Sequence, residues 1–462
     1  MSAPLAATLK DVALPPHAIV REESGLTLIA IERRGVPLFH ARLAFPAGSS
    51  RDPAGKAGLA CFTGDLLRRG TARRDAHGVD DLVEGMGAHL GVATSADETA
   101  LGLTVPFELA AAALDALLEV VLEPTFPEAE VASSRRRVLA ELQADLDEPS
   151  AVAGRAGLVL GYGDGHPYGH PASGRTATVE TFTRGDCAAF HAGCFQEDGA
   201  VLALCGSASP AALLAIARER LGKVRWPQGP ALPQPVVSAV VQAVVQAVVQ
   251  PTGAALRAIV VHKPDSTQAQ IRIVSAGMSR REPGWAAAFL ANTALGGGFT
   301  SLLVDAIRVD RGLSYSVSSR LSMNRHAGLS VFASFTKNET LRELIDVALE
   351  KMHGYARTGP SLDALGKCKQ YLAGLFPFGL EGHEALAEQL ADAVLDGTGL
   401  SRLETYRSSI LAATPEEVLA VAAKLSPARA GAQLVLVGDA EVAQKALAGL
   451  CEVQVVELAR FV

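Results

Sequence analysis

The sequence predicts an α+β protein made of two duplicated halves, each a largely antiparallel sheet with helices packed on one face. Three observations predict it. Strand-like and helix-like stretches alternate within each half, landmark residues recur at a nearly constant separation, and a low-complexity stretch lies between the two copies. At 462 residues the chain is also longer than one hydrophobic core ordinarily organises.

The elements follow in chain order. Leu26 to Ile31 and Leu38 to Phe45 are rich in apolar and aromatic residues and read as a strand pair around the turn Arg33-Arg34-Gly35. Leu109 to Leu122 and Ala129 to Leu146 carry apolar residues at helical spacing. Thr183, three residues ahead of Asp186, opens a further helix in the manner of a capping box. Val201 to Leu204 reads as a buried strand and Ala211 to Leu221 as a helix. Residues 227–252, prolines around a repeated Val-Val-Gln-Ala, form the joint; a true strand within the Val-rich part is the alternative. The first half is thus 18–226 and the second 253–462. In the second half Ala276-Gly277 lies 229 positions after Ala47-Gly48, and Glu282-Pro283 lies 230 after Asp52-Pro53. Thr414 follows Thr183 by 231 positions and Gly438 follows Gly206 by 232. Four matches that drift by only three residues point to duplication.

Composition narrows the function. Hydrophobic residues at 49% and charged residues at 20% describe a chain that folds around packed cores, and the net charge of −7 with no basic run beyond Arg135-Arg136-Arg137 argues against nucleic acid. The six cysteines are scattered and form no Cys-x-x-Cys pair, which fits neither a zinc knuckle nor a redox motif. The first twenty residues lack a signal-type apolar run, and no membrane span is legible. The expected compartment is the cytoplasm, or the periplasm if a leader is removed. His166 and His170 flank Pro167 in a turn rather than sharing a helix face, and His383-Glu384 lacks a second His. Neither pair reads as a metal site.

Gly58-Leu-Ala-Cys61-Phe-Thr-Gly64-Asp65-Leu-Leu-Arg-Arg-Gly70-Thr71 resembles the first helix of the zinc peptidases of the pitrilysin/insulinase type, in which His-x-x-Glu-His sits between a Gly-Leu-Ala lead and a Gly-Thr exit. Two histidines four apart bind zinc from one helical face, and the glutamate acts on the metal-bound water. Here those positions hold Cys61, Gly64 and Asp65, and Glu141, 76 positions after Asp65, falls near the third ligand. A thiolate and a carboxylate four apart are conceivable ligands, but Gly64 leaves no general base. The expectation is no metal in this chain. The resemblance continues through Gly165-His-Pro-Tyr-Gly169 and the strand ends at Gly206 and Gly438, and it implies that the two halves form half of a clamshell. It also implies that Gly87 to Ser95 is the edge strand on which substrate is laid, with Val92, Ala93 and Thr94 contacting its backbone; a purely structural strand is the alternative.

The second half holds Leu295-Gly-Gly-Gly-Phe-Thr-Ser301-Leu-Leu-Val-Asp-Ala-Ile-Arg308-Val-Asp-Arg311-Gly312-Leu-Ser-Tyr315-Ser-Val. Thr300 reads as an N-cap, Gly312 as a left-handed C′ residue, and Ser314 to Ser319 as a strand that returns Tyr315 to the helix end. This is similar to the family's Arg/Tyr pair, seven residues apart, which reaches toward the zinc of the other half. A phenol donates a hydrogen bond to a carbonyl oxygen becoming an oxyanion, and a guanidinium adds a fixed positive fork. The alternative is a core Tyr315 and an Arg308 that merely complements a helix end. The resemblance implies a zinc-free subunit, inactive alone, that supplies Arg308 and Tyr315 to a zinc-bearing sister subunit acting on peptides or unfolded segments. An inert structural subunit, like the core proteins of respiratory complexes, and a standalone peptide-binding module are the alternatives.

Overall fold

The computed structural model describes residues 9–163, 165–230, 256–425 and 432–461. Of the joint at 227–252, only 227–230 fall among them; the Val-Val-Gln-Ala repeat lies outside the described residues.

Each half contributes one six-stranded sheet. The first runs in the order β1 (His17–Arg21), β2 (Thr27–Glu32), β6 (Val201–Gly206), β3 (Leu38–Phe45), β5 (Thr99–Pro106) and β4 (Gly91–Thr94). The second runs β12 (Glu452–Val456), β7 (Arg257–His262), β11 (Gln433–Gly438), β8 (Gln268–Ala276), β10 (Gly328–Lys337) and β9 (Val317–Met323). Five strands correspond one to one, in the same spatial order and with the same parallel or antiparallel sense. β2 and β6 pair parallel as β7 and β11 do, and the strands beyond them pair antiparallel. The outermost strand breaks the match: β1 is the antiparallel neighbour of β2, whereas β12 lies parallel to β7. Duplication is therefore visible in topology as well as in spacing.

The expected strand pair β2–β3 does not form. β6 inserts between them, with Leu202 opposite both Leu28 and Leu43. The reason lies in the composition of β6, which is buried at all six positions. A strand without a polar face needs neighbours on both edges and cover on both faces, so it takes the interior of the sheet.

The helices of the first half include α1 (Leu59–Leu66), α2 (Ala110–Leu122), α3 (Glu128–Asp147), α4 (Pro149–Tyr162), α5 (Arg184–Cys194) and α6 (Pro210–Leu221). Those of the second include α7 (Trp285–Asn292), α8 (Leu302–Val304), α9 (Leu341–Thr358), α10 (Leu362–Leu375), α11 (His383–Leu395), α12 (Pro415–Leu425) and α13 (Ala440–Leu447). Both capping boxes form. The Asp186 carboxylate accepts from Thr183 N–H at 2.9 Å while Asp186 N–H donates to Thr183 Oγ1, and Thr414 and Glu417 repeat the exchange at the start of α12.

One face of each sheet packs on its own half's helices. Leu28, Phe39, Leu43, Leu101 and Leu202 meet Leu114, Leu117 and Phe190, and Val260, Ile271 and Leu434 meet Leu344, Ala348 and Leu447 in the second half. The opposite faces are covered by exchange. Val152, Ala153, Ala156 and Val159 of α4, a first-half helix, cover Ile259, Val261, Val435 and Val437 of the second sheet. Reciprocally, Leu386, Ala387, Leu390 and Ala391 of α11 cover Ile29, Ile31, Val201 and Ala203 of the first. Contrary to the sequence expectation, Trp285–Val309 is long and apolar enough to cross a membrane, but half of its most apolar 18-residue window is buried within the protein.

Candidate functional site

Asp52 sets the start of α1. Its carboxylate accepts from Gly58 N–H at 2.6 Å and Ala60 N–H at 2.7 Å, satisfying donors that a helix start leaves free, and burial pushes the acid up to about 8. Its counterpart Glu282 accepts from Ser279 N–H at 2.9 Å and pairs with Lys424 at 2.7 Å. The two repeated acids are thus structural fixtures.

Along α1 the positions of the zinc motif are brought together with Glu141 of α3, through Arg137. The Arg137 guanidinium lies 3.0 Å from Asp65 and 2.8 Å from Glu141. Burial, followed by the negative charge of Asp65, pushes the Cys61 thiol up to about 12, so it stays protonated at neutral pH and is a poor metal donor. A Cβ added at Gly64 would stand 2.9 Å from Thr94 Oγ1, so β4 packs against the helix where the catalytic base would start. Among the described residues no group of three His, Cys, Asp or Glu is placed to hold a metal ion. A guanidinium bridging the two acids, a protonated thiol and a missing base do not fit zinc. No step of chemistry here runs through one.

β4 is the edge of its sheet. Val92, Ala93 and Thr94 pair with Leu101, Ala100 and Thr99 on one side only, and Gly91 and Ala93 are exposed. Thr94 Oγ1 and Thr99 Oγ1 stand 3.1 Å apart beneath it. A row of backbone groups facing outward is what strand addition requires.

In the second half the local structure differs in detail from the expectation. Ser301, in extended conformation, is the N-cap instead of Thr300, and α8 passes into a π turn, Asp305–Val309, that carries Arg308. Gly312 takes φ +61° as expected. The strand begins at Val317, so Tyr315 lies in the turn before β9, which the Ser314 hydroxyl closes on the Ser316 backbone. Tyr315 is 77% exposed, and its ring lies 4.5 Å from the Arg308 guanidinium carbon. Phe299, also 78% exposed, holds the guanidinium at 5.0 Å. Among the described residues Arg308 has no carboxylate partner, so stacking on two aromatic rings leaves its N–H groups available. Phe299 was missed because one phenylalanine after three glycines carries no periodic signal. Among the described residues no hydrogen bond or ion pair joins this cluster to the Asp65–Arg137–Glu141 group.

Residues 29–156 match the sequence model described as insulinase (peptidase family M16), and residues 181–372 match that of the peptidase M16 inactive domain. The chain belongs to the M16 peptidase family. M16 relatives include an uncharacterized zinc protease of Mycobacterium tuberculosis, 29% identical over 393 residues that cover 83% of this chain and 85% of that one. The probable mitochondrial-processing peptidase subunit beta of Schizosaccharomyces pombe is 24% identical over 403 residues, 83% of each chain. Among solved structures, the M16 inactive domain from Pseudomonas fluorescens superposes with a TM-score of 0.81 at 27% identity, covering 92% of this chain and 98% of that one. A protease from Helicobacter pylori shares the fold, with a TM-score of 0.81 at 20% identity over 92% of this chain and all of that one.

Proposed function

We propose that this chain is the non-zinc subunit of a two-chain M16 peptidase, presenting Arg308 and Tyr315 to a peptide carbonyl while a zinc-bearing sister subunit supplies the metal. The observation that supports this reading most is a contrast within one molecule. In the first half Asp65 and Glu141, at two of the metal positions, are tied up by Arg137, whereas Tyr315 is exposed and Arg308, half-buried beneath aromatic rings, has no carboxylate partner among the described residues. Zinc in the sister subunit would activate the attacking water. Tyr315 would donate its O–H to the oxygen that gains charge, and Arg308, steadied by Phe299, would add a second donor. The exposed edge of β4 would hold an extended peptide.

The test is to assay the purified chain alone, and then mixed with a His-x-x-Glu-His-bearing M16 chain from the same organism, on an internally quenched peptide. Cleavage is expected only in the mixture. Tyr315→Phe is expected to lower turnover by about 10²-fold, the usual scale for losing one oxyanion donor, with little change in KM. Mixed complexes that form stably and cleave at the same rate with the Phe variant would refute this role and leave an inert structural subunit.

A further inference from the structure

A cavity of about 700 Å³ opens between the end of β9, the turn that follows α10, and α11. Its lining includes neither Arg308 nor Tyr315. One wall is apolar, made by Leu372, Leu375, Phe376 and Phe378, and Phe378 stands 70% exposed at the rim. The lining also carries Asp392, Asp396, Arg280 and Arg402.

Three of those four charges are already committed. Arg280 donates to Asp396 at 2.7 Å and to Met323 O at 2.7 Å. Arg402 donates to Arg280 O at 2.8 Å and lies over the Trp285 ring at 4.7 Å. Asp396 is further approached by Arg325 at 3.5 Å. Asp392 is different. Its ion-pair partner is Arg42, across the boundary between the halves at 3.4 Å, and that guanidinium sits closer to Glu98, at 2.6 Å. Glu388 lies 3.9 Å from the same arginine, so three carboxylates share one cation. Burial pushes Glu98 up to about 7 and Asp392 up to about 6, with Arg42 and, more weakly, Arg280 opposing the rise.

An occupant that completes this site carries a cation for Asp392, which shares Arg42 with two other carboxylates, and apolar surface for Leu372, Leu375, Phe376 and Phe378. The volume falls in the range of pockets that enclose a ligand. The apolar wall also continues outward along one face of α10, where Tyr371 and Leu375 are exposed four residues apart, so the occupant extends beyond the cavity as a chain would. We propose that this cavity is a peptide-binding site, taking an arginine or lysine side chain at Asp392 with its apolar neighbours against Phe376 and Phe378. The site goes beyond the function proposed above: it uses other residues, needs no sister subunit, and works in the chain alone.

The experiment measures fluorescence anisotropy of the full chain with a fluorescein-labelled Ala-Leu-Arg-Phe-Ala amide, and with versions carrying norleucine or glutamate in place of arginine. The arginine peptide is expected to bind at least tenfold more tightly than either. Asp392→Asn should abolish that preference, and Phe378→Ala, at an exposed rim position that cannot unfold the chain, should weaken the arginine peptide about fivefold. The measurement uses this chain without a sister subunit and reads binding only, so failure here and failure of the oxyanion role are separately visible. Equal binding of the arginine and glutamate peptides, no measurable binding, or a preference that survives Asp392→Asn would overturn the proposal.

Discussion

Leu390→Ala tests the exchanged helices. Leu390 belongs to the second half but is fully buried against Ile29, Ile31, Val201 and Ala203 of the first sheet. Truncating a fully buried leucine costs about 2–5 kcal/mol, because transfer energy is lost and a cavity remains. With about 3 kcal/mol as the central value and an unfolding entropy of about 2.1 cal/mol/K per residue, a chain that melts as one unit loses about 3 °C of Tm, whereas a half melting alone loses about 6 °C. Since each sheet has one face covered by the other half's helix, a single transition lowered by about 3 °C is expected in calorimetry. Amide exchange should quicken in β2 and β6 as well as in α11. Two separate transitions, or faster exchange confined to α11 while β2 and β6 keep their protection, would refute the claim that exchange couples the halves.

Three more expectations follow from particular contacts. Gly64→Ala places a Cβ against Thr94 Oγ1 and should cost about 1–2 kcal/mol in urea unfolding; Thr94→Ala should recover most of it, since it removes the clashing atom. Glu98 and Asp392 hold their protons more tightly folded than unfolded, so their contribution to stability is fullest below the ordinary carboxylate range and is lost as pH rises through about 6–7. Urea midpoints of Glu98→Gln measured from pH 5 to 8 should therefore fall less with pH than those of the parent chain. Phe299→Ala removes one of the two rings over Arg308 and should leave Tm within about 1 °C, Phe299 being exposed, while lowering turnover of the mixed complex about three- to tenfold if Arg308 acts on substrate.

Much of the fold was legible because its signals are local. Helical periodicity placed α2 and α3 to within a residue or two, Thr183 and Thr414 marked α5 and α12 through capping chemistry, and recurring spacings disclosed the duplication before any coordinates. The candidate site was legible only as residue types at motif positions. That Cys61, Gly64, Asp65 and Glu141 stand at the positions of the zinc motif could be read directly. That Arg137 bridges Asp65 to Glu141, and that Phe299 stacks on Arg308, could not, since each contact joins residues whose separation in sequence carries no period.

The sequence by itself determined which elements form, that they form twice, and which side chains stand at each step of α1 and of the Arg308 segment, because caps, turns and periodicity act over a few residues. Tertiary structure alone decided that β6 would part β2 from β3, that α4 and α11 would trade sheets, and that Tyr315 would stand in solvent. Those outcomes depend on how apolar faces find cover across hundreds of residues, and a strand or helix carries the demand for a partner without encoding which one will meet it.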